Sequence, residues 1–215
     1  MIRWDWIASN VPALVDATID HIVLTFVAVG VGFALSFGLS LAIHGRRSLG
    51  GPITGIAGVL YTIPSLALFA FLVPFTGLSF LSAQIGLVSY TLLILIRNTV
   101  AGFDGVPGDV LEAADAMGYG RARRLLSVEL PLALPLIVAG LRIATVTTIG
   151  LVMVAAVIGQ GGLGQVMVRG FNFRNDTAVY TGAVLIVALA IAADLLLAYA
   201  GRLVTPWRGS AARGS

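Results

Sequence analysis

The residue types that carry out most protein chemistry are scarce in this sequence of 215 residues. It contains no cysteine, which excludes disulfides and thiolate metal sites. His21 and His44 lie too far apart in sequence to match a metal-ligand spacing. Lysine is also missing, so the phosphate-binding loop G-x-x-x-x-G-K-S/T cannot form. We therefore predict a non-catalytic chain with no metal site and no cofactor of its own.

The densest group of charged residues lies in the polar segment 108–124. Asp109 and, three residues later, Glu112 match the pattern of a capping box, which predicts a short helix over 110–117. Gly118 can adopt the left-handed conformation that ends such a helix. A second short helix, rich in arginine, should follow. Both helices are too polar for lipid and too short to be stable alone, so we expect a partner on this side of the membrane.

Two further charges, Arg142 and Asp194, interrupt apolar segments. Charged side chains within a membrane usually have partners, so we hypothesise that Asp194 pairs with Arg142 or with Arg97. The alternative is that Asp194 binds a cationic substrate, but either arginine beside it would repel such a substrate.

These residues must be positioned by membrane helices. Of all residues 58% are hydrophobic and 11% are charged, against about a quarter charged in soluble proteins. A span requires about 20 apolar residues. We predict an all-α integral membrane fold of five transmembrane helices, with residues 1–21 an external interfacial segment, 22–204 a membrane domain containing the loop 104–131, and 205–215 a flexible tail. The predicted spans are 22–43, 53–75, 83–96, 132–158 and 177–200.

The thirteen basic residues are all arginine, and their distribution predicts the orientation. Nine follow the first, third or fifth span, whereas only Arg3, Arg169 and Arg174 fall on the opposite face. The positive-inside rule therefore puts the N-terminus outside and the C-terminus and the loop 104–131 in the cytoplasm. Because the net charge is only +3, the arginines indicate membrane topology and a lipid bilayer as partner, with no nucleic acid.

One sequence pattern in the loop resembles a known family. Residues 112–114 read Glu-Ala-Ala, Gly118 follows after three residues, and 128–131, nine residues further on, read Val-Glu-Leu-Pro. The pattern is similar to the EAA loop of ABC importer permeases (EAA, three residues, G, nine residues, I-x-L-P), with Val128 as the only departure.

This resemblance implies the type I ABC importer permease fold, in the cell membrane of a bacterium. In that family the loop forms a coupling helix that docks on a separate ATPase, which binds the ATP and magnesium. The implied partners are an ABC ATPase dimer, a second permease subunit (identical or paralogous) and an extracytoplasmic solute-binding protein. The residues to which the resemblance assigns ATPase coupling are Glu112, Ala113, Ala114, Gly118, Leu130 and Pro131.

A second resemblance concerns the solute. Residues 62–68 read Thr-Ile-Pro-Ser-Leu-Ala-Leu and 97–99 read Arg-Asn-Thr, which is similar to permeases for compatible solutes such as glycine betaine, carnitine, choline and proline betaine. The glycine-rich run 159–164 also resembles a stretch in the methionine and osmoprotectant branches, where it is an external re-entrant turn. The alternative interpretation of this run is a flexible turn.

Pro64 should kink or break the second span, because it lacks a backbone donor. Broken helices commonly line transport pathways, so we take Tyr61, Pro64, Ser65 and Asn98 as candidate pathway residues. The face of Tyr61 would attract a quaternary ammonium group. The alternative is a kink that serves packing only.

Other functions remain to be separated from this one. A permease for methionine or another small solute is the alternative within the same class. A passive channel should show polar rings along one helix face, and an intramembrane enzyme needs a nucleophile with its base or paired carboxylates. The sequence shows neither pattern.

Overall fold

The computed structural model describes residues 2–205, which are almost entirely helical and contain no strand. The tail predicted for 205–215 therefore lies, apart from Thr205, outside the described residues. A π-helical turn, Leu125–Glu129, lies within the continuous helix Arg121–Ile158. The α-helices are α1 (Trp4–Ser9), α2 (Val11–Gly45), α3 (Gly50–Thr62), α4 (Ser65–Thr76), α5 (Phe80–Asp104), α6 (Gly108–Ala116), α7 (Arg121–Arg124), α8 (Leu130–Ala155), α9 (Leu163–Asn172) and α10 (Asp176–Val204).

Four helical segments among the described residues are long and apolar enough to cross a membrane. They are α2, α5, the continuous helix Arg121–Ile158 and α10. A fifth span is counted if α3 and α4, which meet at a bend of 96°, cross together. The predicted all-α membrane fold is thereby confirmed, and the second span is broken next to Pro64, as the sequence predicts.

Two helices are longer than the apolar pattern indicated. The α2 helix begins at Val11, so residues 11–21 of the predicted interfacial segment form its first turns. Leu14 and His21 are buried within this part, and the polar residues between them face outward. The α5 helix continues through Arg97 to Asp104, because Thr99 and Phe103 extend its buried face.

The α5 helix forms the centre of the bundle, between α2 and α8. In its most apolar stretch 56% of the residues are buried, whereas in α10 the share is 6%. Small residues allow the central helices to approach closely: a Cβ on Gly102 would lie 2.9 Å from the carbonyl oxygen of Ala133, and one on Gly140 would lie 2.5 Å from Cβ of Asn98. The central helices are thus closely packed, and α10 lies at the periphery.

Two ends of the bundle are named here for their residues. The arginine-rich end comprises residues 44–50 and 104–131, where α2 ends and α8 begins. The glycine-rich end comprises 2–20 and 159–177, where α2 begins and α8 ends. Both α2 and α8 run the full distance between the two ends.

Candidate functional site

The α6 helix at the arginine-rich end begins differently from the prediction. Its N-cap is Pro107, and no side chain caps it. The proline, with its preset φ, starts the helix two residues before Asp109, whose carboxylate accepts a 3.0 Å hydrogen bond from the backbone N–H of Val110. The predicted capping box with Glu112 is therefore wrong, although Asp109 still lies in the first turn, where its charge suits the helix dipole.

The end of α6 matches the prediction. Gly118 has a φ of +78°, in the left-handed region. The N–H of Tyr119 donates to the carbonyl of Ala114 at 3.1 Å, and the N–H of Gly118 donates to that of Asp115 at 2.9 Å. This pair of bonds is a Schellman motif. A Cβ on Gly118 would meet no atom within 4 Å, so the conformation alone makes glycine favourable here.

The outer face of α6 is available to a partner. Glu112 and Ala113 are exposed, whereas Ala114 is 1% exposed and faces the rest of the chain. Met117, four residues after Ala113 and therefore on the same face, is 66% exposed. The Glu-Ala-Ala motif thus divides into two residues that face outward and one that anchors the helix.

Leu130 and Pro131 close the loop from the other side. Leu130 packs against the apolar cluster of Phe103, Ala133 and Ile137. Pro131 lies in the first turn of α8, directly after the π-helical turn. Because a proline donates no backbone hydrogen bond, this wider turn is a suitable place for one within a continuous helix.

A buried carboxylate that the sequence analysis missed lies beside these residues. Glu129 is 1% exposed, and its Oε1 accepts a 2.9 Å hydrogen bond from Nε of Arg124. Nη1 of Arg124 also donates to both carboxylate oxygens of Asp115 on α6, at 2.6 and 2.9 Å. Nε2 of His44, at the end of α2, lies 2.7 Å from Oε2 of Glu129, although this contact is not aligned as a hydrogen bond.

The Arg124–Glu129 contact had one possible sequence signal. Residues five apart lie on different sides of an α-helix but become neighbours in a π-helix, whose bonds join residues i and i+5. The signal could be used only if the π-helical turn were known, and nothing in the residues 125–129 identified it.

The break in the second span separates α3 from α4 at Ile63 and Pro64. Ile63 is extended, with φ −65° and ψ 128°, as expected before a proline. The hydroxyl of Tyr90 on α5 donates to the carbonyl of Ile63, which the interrupted helix leaves without an intrahelical donor. The rings of Tyr61 and Tyr90 meet edge to face, with centroids 5.9 Å apart.

The predicted pathway residues do not all lie together. Tyr61 is 39% exposed beside the break, and Ser65 begins α4. Asn98 lies eight residues beyond Tyr90 on α5, about 12 Å further along that helix. Its amide donates to the carbonyl of Ile94 and its Cβ faces α8. Tyr61, Pro64 and Ser65 therefore form one group, and Asn98 belongs to the contact between α5 and α8.

The structure also brings Arg142 and Asp194 together. Nε and Nη2 of Arg142 donate to the two carboxylate oxygens of Asp194, each at 2.8 Å, in a bidentate pair between α8 and α10. Arg97, the other partner considered, is exposed on α5 and makes no such pair in the described residues.

The glycine-rich run folds into a close-packed turn before α9. A Cβ on Gly162 (φ +49°) would lie 2.6 Å from both the carbonyl oxygen of Ala17 and the backbone nitrogen of His21. One on Gly164 would lie 2.7 Å from Cα of Met153. His21 itself is buried, with Nε2 3.0 Å from the carbonyl oxygen of Ile149. This packing favours a fixed turn over a flexible one.

Comparison with known proteins gives one consistent result. Residues 34–206 match the family described as binding-protein-dependent transport system inner membrane component. The choline transport system permease protein OpuBB of Bacillus subtilis (strain 168) is 36% identical over 94% of this chain and 93% of its own length. The osmoprotectant import permease protein OsmW of Salmonella typhimurium is 35% identical over 94% of this chain and 96% of its own length.

Solved structures agree on the fold. A chain of the MetNI methionine ABC transporter in an inward-facing conformation matches with a TM-score of 0.80 and 24% identity, over 92% of this chain and 98% of the other. A chain of an amino acid ABC transporter matches with a TM-score of 0.77 and 19% identity, over 94% and 99% of the two chains.

Proposed function

Since the chain belongs to the family of binding-protein-dependent inner membrane components and is thus a permease subunit of an ABC importer, we propose that it imports compatible solutes at the expense of ATP hydrolysed by a partner. The solute class is that of quaternary ammonium osmoprotectants, such as glycine betaine, carnitine, choline or proline betaine. The working complex contains two permease subunits, an ATPase dimer and an extracytoplasmic solute-binding protein.

The observation that carries the coupling role is the exposed face of α6. This short polar helix is ended by Gly118 and is attached to the bundle through Ala114, Asp115 and the continuous helix that follows. It presents Glu112 and Ala113 outward. The excess of arginine on this side supports a cytoplasmic position, where an ATPase would be found. Movement of the docked ATPase would reach the membrane helices through α7 and α8, which are one continuous helix with the π-helical turn.

The proposed solute rests on the relatives and on the break at Pro64. Relatives at 36% and 35% identity are named for choline and for osmoprotectants. Tyr61, which packs edge to face on the buried Tyr90, presents aromatic surface at the break, and a quaternary ammonium group is attracted to such surface. In this proposal Tyr61, Pro64 and Ser65 line the pathway near the broken helix, and Asn98 lies further along α5 where it meets α8. The solved amino acid transporters share the fold at under 25% identity, so they do not favour methionine as the solute.

The test compares two glycines of the same loop in the complete complex, reconstituted in proteoliposomes. Gly118→Asp forces a side chain into a left-handed conformation and adds a negative charge at the C-terminus of α6, so ATPase association and uptake should be lost. Gly120→Asp is the matched control, because Gly120 has a φ of −69° and open space around its Cβ. It should retain both activities.

Uptake of radiolabelled choline, glycine betaine and carnitine is measured with and without ATP, beside methionine as the competing solute. Uptake retained by Gly118→Asp would contradict the coupling role of α6. Methionine uptake without uptake of any quaternary ammonium compound would contradict the solute class.

A further inference from the structure

We propose that Glu129 is a positioning residue that links the α6 loop to the end of α2, so that movement of α6 is passed to α2 as well as to α8. The inference rests on the proposed function, because it concerns how a docked ATPase would move this chain. It adds a second route to the direct one along the continuous helix of α7 and α8.

The carboxylate of Glu129 is buried and therefore needs partners. A carboxylate that is 1% exposed is strongly destabilising unless other groups satisfy it, and Glu129 is contacted by side chains from two different elements. Arg124 binds one oxygen from the turn before it, and His44 contacts the other from α2. Loss of the Arg124 contact would leave the buried carboxylate without its hydrogen-bonded partner, and a shift of α2 or of the turn would change the contact between His44 and Glu129.

The α6 helix is attached to the rest of the chain mainly through the segment that follows it. Its main contacts within the described chain are with α7 and the π-helical turn. The bidentate contact of Arg124 with Asp115 is the charged part of this attachment. Arg124 therefore holds α6 with one nitrogen and Glu129 with another, and a displacement of α6 must change the geometry at Glu129.

The α2 helix extends from the arginine-rich end to the glycine-rich end. It contains 35 residues, roughly 52 Å of helix, and its far part packs against Gly162 in the glycine-rich turn. The ring of Phe103, at the end of α5, lies with its centroid 4.9 Å from that of the His44 ring. The His44 contact is the less aligned of the two at Glu129, so it is the one expected to rearrange during a transport cycle.

The variants for the test are His44→Ala, His44→Gln and Glu129→Gln, with Arg47→Gln as matched control. Arg47 lies at the same end of α2 but pairs with exposed Asp104, outside the network. In the reconstituted complex, the number of solute molecules imported per ATP hydrolysed should fall about tenfold in His44→Ala, within the range of coupling between two sites. His44→Gln, which keeps a donor, should recover most of this ratio. Combining His44→Ala with Glu129→Gln should add little to the single effects.

A structural readout separates coupling from general damage. The chain has no cysteine, so Ala42→Cys on α2 and Ala101→Cys on α5, both exposed, introduce spin labels at only these two sites of this chain. The distance between the labels should change when ATP is trapped in the unsubstituted complex, and the change should be lost in His44→Ala, with co-purification of the ATPase retained.

Three results would count against the proposals. If the unsubstituted complex shows no ATP-dependent uptake, the proposed function fails and this inference falls with it. If that complex imports its solute but His44→Ala has the same import ratio and distance change, only the role of Glu129 is overturned. If the ATPase no longer co-purifies with either His44→Ala or His44→Gln, the contact is needed for assembly and the positioning role is likewise overturned.

Discussion

The two ends of the bundle are held together by different kinds of contact. At the arginine-rich end, polar side chains connect α2, α6 and α7, because Arg124 binds both Asp115 and Glu129 and His44 contacts Glu129. At the glycine-rich end, backbone meets backbone, because the turn before α9 approaches Ala17 and His21 where no side chain would fit. Side chains with several rotamers can exchange partners, whereas a close-packed backbone contact has a single geometry. The difference indicates a movable end and a fixed end of the same long helices.

Two glycines, one at each end, share a left-handed backbone conformation but have different surroundings. Gly118 and Gly162 have φ values of +78° and +49°. A Cβ on Gly118 would meet open space, but one on Gly162 would overlap α2. Substitutions at the two ends should therefore have different consequences for the folded chain.

The largest effect is expected for Gly162→Ala, which would break the fixed end. The added methyl group must displace α2 or the turn, so the loss of stability should be at least about 3 kcal/mol. Gly159→Ala is the control, since Gly159 has a φ of +78° with no atom within 4 Å of its Cβ and should lose only about 1–2 kcal/mol. Thermal unfolding of the detergent-solubilised protein, followed by size-exclusion chromatography, measures both. Equal losses would mean that backbone conformation, and not close packing, restricts this end.

An intermediate effect is expected for Asp194→Asn, which tests whether a charged contact is always a movable one. The Arg142–Asp194 pair lies between the two ends and holds the peripheral α10 with two hydrogen bonds. Its loss leaves Arg142 unpaired in the membrane, so the melting temperature should fall by several degrees. The decrease in melting temperature of the double variant Arg142→Gln with Asp194→Asn should be smaller than the sum of the decreases of the two single variants. Unchanged assembly and uptake in Asp194→Asn would show that the pair has no role.

The smallest effect is expected for Arg47→Gln at the arginine-rich end. The Arg47–Asp104 pair is exposed, with side chains 63% and 44% accessible, so its contribution should be below about 0.5 kcal/mol. Chemical denaturation of the purified chain should hardly change. A loss as large as that of Asp194→Asn would mean that this end is held by all of its ion pairs and not by the network at Glu129.

The sequence predicts the fold well where a feature is determined by residues that are close together in the chain. Apolar length gives the spans, Pro64 gives the break, and the glycine at 118 gives the end of α6, because each depends on neighbours along the chain. It fails where tertiary contacts decide. The start of α2 at Val11 depends on packing against the turn at Gly162, and the burial of Glu129 depends on a π-helical turn that shifts its register by one residue. The choice of Arg142 over Arg97 as the partner of Asp194 depends on which helix α10 packs against.

The peripheral position of α10 bears on how the molecule is assembled. Membrane helices are inserted first and associate afterwards, and α10, with little of its most apolar stretch buried, must find its setting against α8 and α9. The planar guanidinium of Arg142, near the middle of α8, forms its two hydrogen bonds only when the carboxylate of Asp194 has one position and orientation. The pair therefore adds to the close contacts at Gly182 and Gly201 in selecting a single rotational and vertical setting for α10.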